Sequence, residues 1–267
     1  MNMNKFESEE NITTDEQPEQ PIKEEVWKLE LEIRELREAI RHLLEQLHGH
    51  IDAGEYKLLI GGDASGRIPA LIFDKIIKKI YREKGFDIPR TMSLFIAGGT
   101  SWISPLDEKS KRISDHISKH YIGENLNLKS PDYTVYTVMD KLKMMLGKED
   151  KIKYDGRVLI IEDTIASGAS IKPVTDALKK MGIDFDIATI GLQATDEKRY
   201  IEKILGGKIF YSLEYTPGIY RSKSLSGVKK DRGDLFSQPN ISDASRKAKL
   251  DVNKVANELA EWYLSNF

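Results

Sequence analysis

The chain has 267 residues, 41 of them basic and 43 acidic, and no cysteine. The near balance of charge argues against a nucleic-acid or polyanion binder at whole-chain level, and the missing cysteines exclude disulfides, thiolate nucleophiles and cysteine-based metal sites. No apolar run approaches the ~20 residues of a membrane span, and the first residues lack the basic-then-apolar form of a signal peptide, so the expectation is a soluble cytoplasmic protein without membrane partners.

Residues 1–21 are rich in Glu, Asn, Gln and Thr, with Pro18 and Pro21. They carry too little apolar surface to offset ordering and read as a disordered acidic tail. Residues 22–50 form the next unit, a long helix from Glu24 to His48. Its Val26, Leu29, Ile33, Leu36, Ile40, Leu43 and Leu47 alternate three and four apart. As heptads, the a positions are Val, Ile, Ile and Leu and the d positions all Leu, the pattern of a parallel two-stranded coiled coil. Glu32 is then placed to pair with Arg37 of a partner. Trp27, Leu31 and Leu44 widen the stripe, which equally suits a helix packed on its own domain. Both readings, homodimer seam and intramolecular packing, stay open on the sequence.

Residues 51–240 read as one α/β domain. Tyr56 to Gly61 is a buried strand, Gly62-Asp63-Ala64-Ser65-Gly66-Arg67 a loop, and Ile68 to Tyr81 an amphipathic helix with Pro69 in its first turn. Thr91 to Ala97 is a further strand. Some 55 residues then separate Gly98 from the next apolar run, and about 100–150 reads as a helical insertion. One of its helices runs from Pro105 to Tyr121. A second runs from Pro131 to Leu146, with Ser130 as N-cap and Pro131 at N1, burying Val135, Val138, Leu142 and Leu146. His116 and His120 stand four apart on the first helix, which is metal-ligand spacing. No third ligand accompanies them, so they read as solvated.

The most informative stretch is Arg157 to Ser170. Val158-Leu159-Ile160-Ile161 is a buried parallel strand. Glu162 and Asp163 follow at its carboxyl end, then a loop of small residues, then a helix from Ile171 to Met181 closed by Gly182. A helix amino end offers unpaired N–H groups and partial positive charge, so strand, loop and helix form a phosphate site. Gly168 lets backbone approach the ligand, and Thr164, Ser167 and Ser170 add hydroxyls. Carboxylates repel a phosphate but suit a vicinal diol beside it. Phosphate plus diol describes a 5-phosphoribosyl group.

Further on, Phe185 to Leu192 is a strand ending at Gln193, followed by a helix to about Leu205 and a last strand from Lys208 to Leu213. Tyr215 to Asn240 is irregular. Residues 241–267 hold a closing helix, Asp243 to Leu264, expected to bury Leu250, Val255, Leu259 and Trp262. Alternating strands and helices predict an α/β fold: a parallel sheet with helices on both faces, whose ligands sit beyond the carboxyl ends of the strands.

The stretch Ile160-Ile161-Glu162-Asp163, with Ser167-Gly168-Ala169-Ser170 after it, resembles the phosphoribosyl-diphosphate loop of the type I phosphoribosyltransferases. About 13 residues carry the match. The resemblance implies transfer of a phosphoribosyl group from 5-phosphoribosyl 1-diphosphate to a nitrogenous base or related small-molecule acceptor, with Mg²⁺ brought by the diphosphate. Glu162 and Asp163 would orient the ribose. Thr164, Ile165, Ala166, Ser167, Gly168, Ala169 and Ser170 would hold the 5′-phosphate. The loop of Asp63, Ala64, Ser65 and Gly66 would receive the diphosphate, with Arg67 as its clamp. Gln193 would lie near the acceptor, and Tyr211, Tyr215 and Tyr220 are candidates to stack on it. Two departures matter. The insertion stands where the family's short catalytic lid begins, and Ala166 replaces the acidic base of the hypoxanthine and guanine enzymes, which disfavours a 6-oxopurine acceptor. Beside the enzyme stands a second reading, a non-catalytic binder of phosphoribosyl diphosphate or nucleotide acting as a regulator or adaptor.

Overall fold

The apolar runs pair into one five-stranded sheet. Its strands are β1 (Tyr56–Gly61), β2 (Arg90–Ser93), β3 (Arg157–Ile165), β4 (Phe185–Leu192) and β5 (Lys208–Leu213), in the order β2-β1-β3-β4-β5. Every neighbouring pair is parallel. β4 is buried at all positions, as a strand covered on both faces must be. The sequence reading of β1, β4 and β5 holds to the residue. A separate antiparallel pair joins β6 (Val228–Lys229) to β7 (Gln238–Pro239). This computed structural model describes residues 20–62, 66–93, 135, 138–140, 142–143, 155–193, 195–215, 228–229, 238–239 and 243–267, with 20–34, 93, 228–229, 238–239 and 244–245 described by backbone alone. Residues 1–19 of the expected acidic tail, the helix expected from Pro105 to Tyr121 with its histidines, and most of 216–242 lie outside these.

The helices are α1 (Gln20–Asp52), α2 (Arg67–Lys84), α3 (Lys172–Lys180), α4 (Lys198–Leu205) and α5 (Asp243–Asn266). They cover both faces of the sheet, as expected. α1, α2 and α5 pack with Leu59, Leu159, Ile161, Ala188 and Ile190 in one core. α3 and α4 pack with Leu58, Val158, Ile160 and Ile187 in the other, joined by Val135, Val138 and Leu142 from the second helical stretch of the insertion. Those three were expected to be buried. No described helix is long and apolar enough to cross a membrane.

α1 answers one of the two readings of its stripe. Leu36, Ile40, Leu43 and Leu47 are 0–2% exposed inside the chain's own core, together with Ala39, Leu44 and Ile51. These heptad positions are therefore filled by intramolecular packing, and a dimer seam extending to Leu47 is corrected. Arg37, assigned to a partner's glutamate, instead reaches Glu258 of α5 at 3.5 Å. Val26, Leu29 and Ile33 lie where only backbone is described. Gln46 Nε2 donates to the Tyr211 carbonyl of β5 (2.9 Å), and the Tyr215 hydroxyl, just past the end of β5, donates to Glu35. α1 thus runs antiparallel to β5.

α5 needs a second correction. Leu250 was expected to be buried and is 68% exposed. The buried stripe runs through Ala248, Val252, Val255, Ala256, Leu259, Ala260 and Tyr263. At 100° per residue, Leu250 points roughly away from it.

Polar contacts fasten the amino edge of the sheet. The Tyr56 hydroxyl donates to Asp186 Oδ2 (3.0 Å), and Arg157 Nη1 donates to both Asp186 oxygens (3.3 Å each). Arg157 Nε also reaches Glu55 (3.2 Å). The buried Asp186 carboxylate therefore ties together the first turns of chain entering β1, β3 and β4. At the foot of α1, Asp52 Oδ1 accepts from Lys84 Nζ (2.8 Å) and from the Tyr263 hydroxyl (2.7 Å). Burial pushes the Asp52 carboxyl up, but these two hydrogen bonds and the Lys84 charge outweigh it and hold the group below its usual range.

Two outcomes follow. Leu43→Ala should lower stability by about 2–5 kcal/mol in urea melts, as for other buried leucines, and deletion of residues 1–48 should abolish cooperative unfolding instead of releasing a folded monomer. A carboxyl whose pKa folding lowers stabilises the protein above its unfolded value of about 3.9, and that contribution is lost as pH falls through the folded value. Asp52→Asn should therefore depress the melting temperature more near pH 7 than near pH 3. Equal depressions at both would refute the charge-based role of Asp52.

Candidate functional site

The sheet reverses direction between β1 and β3: the chain moves from β1 outward to β2, then returns to the other side of β1. In open parallel sheets this reversal opens a crevice at the carboxyl edge. Here the crevice is deepened by unequal strand lengths. β1 ends at Gly61, opposite Ile161, and Gly62 N donates one last bond to the Ile161 carbonyl (2.9 Å). β3 continues through Ile165, still paired with β4 at Glu162↔Thr189, Thr164↔Gly191 and Ile165↔Leu192. The two carboxylates were expected after the strand. They lie within it, on the segment that outruns β1, because β4 keeps supplying partners. Glu162 is 6% and Asp163 8% exposed, and neither is isolated from interacting groups. As neighbours on one strand they project to opposite sides of it.

The loop after β3 is correspondingly short. Ala166 and Ser170 are exposed, Ser167 is half-buried, and Gly168 and Ala169 are buried. The Gly168 carbonyl accepts from Ile171 N (3.2 Å) and Lys172 N (3.0 Å), so helical winding begins at the glycine. Ser167 Oγ caps Ala169 N at 3.4 Å. Gly168 has φ 75°, a conformation that disfavours a side chain. Packing gives a reason for the glycine that does not depend on a ligand. A Cβ there would meet Leu205 at 3.0 Å and Ile201 at 3.3 Å, so the missing side chain lets the loop rest on α4.

Gln193 is exposed, and its N–H donates to the Ile165 carbonyl (3.0 Å), which brings the ends of β3 and β4 together as expected. Thr164 Oγ1 is buried and, among the described residues, has no hydrogen-bond partner. It lies near Gly191, where a Cβ would come within 3.4 Å of that oxygen and 2.3 Å of the Tyr215 carbonyl. The chain leaving β5 thus crosses directly over the end of β4. Gly191 was not singled out from sequence, although a glycine inside a strand is the ordinary mark of such a close backbone approach. Tyr215 is exposed at this crossing, with its hydroxyl on Glu35 of α1. Tyr211 is half-buried against the second core beneath Lys198 Nζ (5.1 Å), an environment of packing and not of ligand stacking. Tyr220 lies outside the described residues.

On the β1 side, Gly66 is buried at the start of α2 and Arg67 is that helix's first residue, half-buried. Asp63, Ala64 and Ser65 lie outside the described residues. A Cβ on Gly66 would stand 3.2 Å from Glu162 Oε2, so the start of α2 lies against the Glu162 carboxylate. Among the described residues no group of three or more His, Asp or Glu side chains gathers as a metal cage.

No family model and no curated protein matches the sequence. Among solved structures, the chain is similar to a purine phosphoribosyltransferase from Pyrococcus horikoshii, with 20% identity, a TM-score of 0.29, and coverage of 63% of this chain and 76% of that one. The architecture itself, a five-stranded all-parallel α/β sheet with helices on both faces, is the one the sequence led us to expect.

The glycine at 168 yields a stability prediction independent of any ligand. Gly168→Ala should destabilise by about 1–3 kcal/mol through backbone strain, while Ser167→Ala should change the midpoint of denaturation little. An unchanged Gly168→Ala midpoint would contradict the packing of this loop on α4.

Proposed function

We propose that the chain binds 5-phosphoribosyl 1-diphosphate at the β1/β3 crevice and transfers its phosphoribosyl group to a nitrogenous base or related acceptor. The observation that carries this reading is the buried Glu162–Asp163 pair on the overhanging end of β3, followed directly by the Ser167–Ser170 turn into α3. A helix start supplies N–H donors and positive potential for the 5′-phosphate. Carboxylates suit the ribose hydroxyls beside it and the positive charge that grows on the ring. Thr164 Oγ1, buried and without a hydrogen-bond partner among the described residues, is a ready donor for a ligand oxygen. Arg67 opens α2 on the facing side and suits the leaving diphosphate.

In the reaction so proposed, the bond from ribose C1′ to the diphosphate oxygen breaks and its electron pair leaves with diphosphate. A nitrogen lone pair of the acceptor forms the new bond to C1′, and the acceptor's proton goes to solvent. Positioning and electrostatics supply most of the acceleration. Mg²⁺ bound with the diphosphate would neutralise leaving-group charge, with Glu162 and Asp163 as the protein donors available to it. Ala166 is exposed on the loop and has no proton to exchange, so no general base comes from that position. This observation also supports the second reading, a non-catalytic binder of the same ligand, and it disfavours a 6-oxopurine acceptor under the first.

Calorimetry with 5-phosphoribosyl 1-diphosphate and Mg²⁺ should give saturable binding. Asp163→Asn should weaken it by about 1.5–3 kcal/mol, the range for a hydrogen bond to a charged group, without altering the circular dichroism spectrum. Diphosphate release with a panel of bases separates enzyme from binder. Failure of the wild type to bind the ligand, or normal binding by Asp163→Asn, would sink the reading.

A further inference from the structure

Among the described residues β5 is the last strand of the sheet, and a terminal strand offers its outward backbone groups to any further strand that meets it. The ladder shows which groups those are. Val158 N donates to the Asp184 carbonyl (2.9 Å), so the even-numbered residues of β4 bond toward β3 and the odd-numbered ones toward β5. In a parallel ladder only one residue of each opposite pair turns its peptide groups to its partner. Ile187 and Thr189 do so, and Ile209 and Tyr211, which stand opposite them, therefore face outward.

Both outward positions are taken by side chains. Glu202 Oε1 of α4 accepts from Ile209 N (2.9 Å), and Gln46 Nε2 of α1 donates to the Tyr211 carbonyl (2.9 Å). The two helices lie on opposite faces of the sheet, so the edge is gripped from both sides, and both side chains are half-buried. Lys198 Nζ, one turn earlier on α4, stands 3.8 Å from the same Glu202 oxygen. An outward N–H and an outward carbonyl two residues apart are the groups a neighbouring strand would claim. Any strand laid along Ile209–Tyr211 has to displace one cap or the other. The run Ile209-Phe210-Tyr211 favours strand and contains neither charge nor proline, the usual protections within an edge strand. Here the protection comes from the flanking helices.

We propose that Glu202 and Gln46 guard the β5 edge, and that the partner they exclude is the β5 edge of a second copy of this chain. A second copy fits because it brings the same edge: a two-fold pairing would satisfy both rows of backbone groups and continue the sheet across the interface. The role is independent of what the crevice binds.

The test uses the full chain as wild type, Glu202→Gln, Glu202→Ala, Gln46→Ala and the double variant Glu202→Ala/Gln46→Ala. In sedimentation velocity over a range of concentrations, the double variant should associate where the wild type does not change its state. Glu202→Gln keeps an acceptor oxygen and should behave as wild type. The chain has no cysteine, so Ser212→Cys places a single thiol on β5. A bis-maleimide should join two copies through it in the double-variant background and not in the otherwise wild-type chain. If the double variant does not fold, Glu202→Ala carries the test. Its Ile209 amide should exchange hydrogen about tenfold faster than in wild type or Glu202→Gln, as for loss of a bond to a charged group, and it should associate at lower concentration than either. A folded double variant that keeps the wild-type assembly state, association without cross-linking at residue 212, or an Ile209 amide indifferent to Glu202→Ala would each overturn the proposal.

Discussion

β3 has a long neighbour on one side and a short one on the other, and the rest of the crevice depends on that mismatch. Pairing with β4 carries the strand out to Ile165, while β1 stops opposite Ile161. The last residues of β3 therefore stand beside a loop and not beside a strand. Glu162 uses the gap, lying over Gly62 and Gly66. Had β1 continued, its own residues would occupy that space. Acidic residues are tolerated in this strand because they fall where the sheet is one neighbour short.

The opposite edge is built for the contrary purpose. Asp186, Tyr56, Arg157 and Glu55 link the entries of β1, β3 and β4 through hydrogen bonds between 3.0 and 3.3 Å. Buried ionic groups of this kind contribute little net stability, but loss of one partner is expensive, so they are better suited to holding register than to adding free energy. Register matters here because a one-residue slip of β3 against β1 would carry Glu162 away from Gly62 and change which residues project above the edge. The fixed edge thus sets the geometry of the open one.

Much of this was legible in the chain. Apolar runs bounded by glycine and polar residues located β1, β4 and β5, and the Glu-Asp pair with the Ser-Gly-Ala-Ser turn singled out the carboxyl edge on which the proposed site rests. What escaped was relational. Glu162 and Asp163 read as following the strand at its carboxyl end and Thr164 as opening the loop, yet β4 extends far enough to keep all three in the sheet. Gly168 was assigned to a ligand, and its missing Cβ also faces Leu205 and Ile201, residues more than thirty positions away. The stripe on α1 is apolar whichever partner covers it, so its composition could not choose between a second chain and the core of the same one. Leu250 is apolar but off the buried stripe, and only the phase set by Val252, Val255 and Leu259 reveals it.

The way α1 is buried has a consequence for biosynthesis. Its apolar stripe packs with residues of β4, β5 and α5, and the hydrogen bond from Gln46 to Tyr211 spans 165 positions. At about 5–20 residues per second, roughly 10–30 s of elongation separate the two ends of that contact. During this interval the part of the stripe that faces β4, β5 and α5 has no native cover, and a helix short of tertiary partners is marginal in water. α1, the first element described, is therefore among the last to reach its final surroundings. The nascent protein would carry a partly uncovered leucine-rich surface through most of its synthesis.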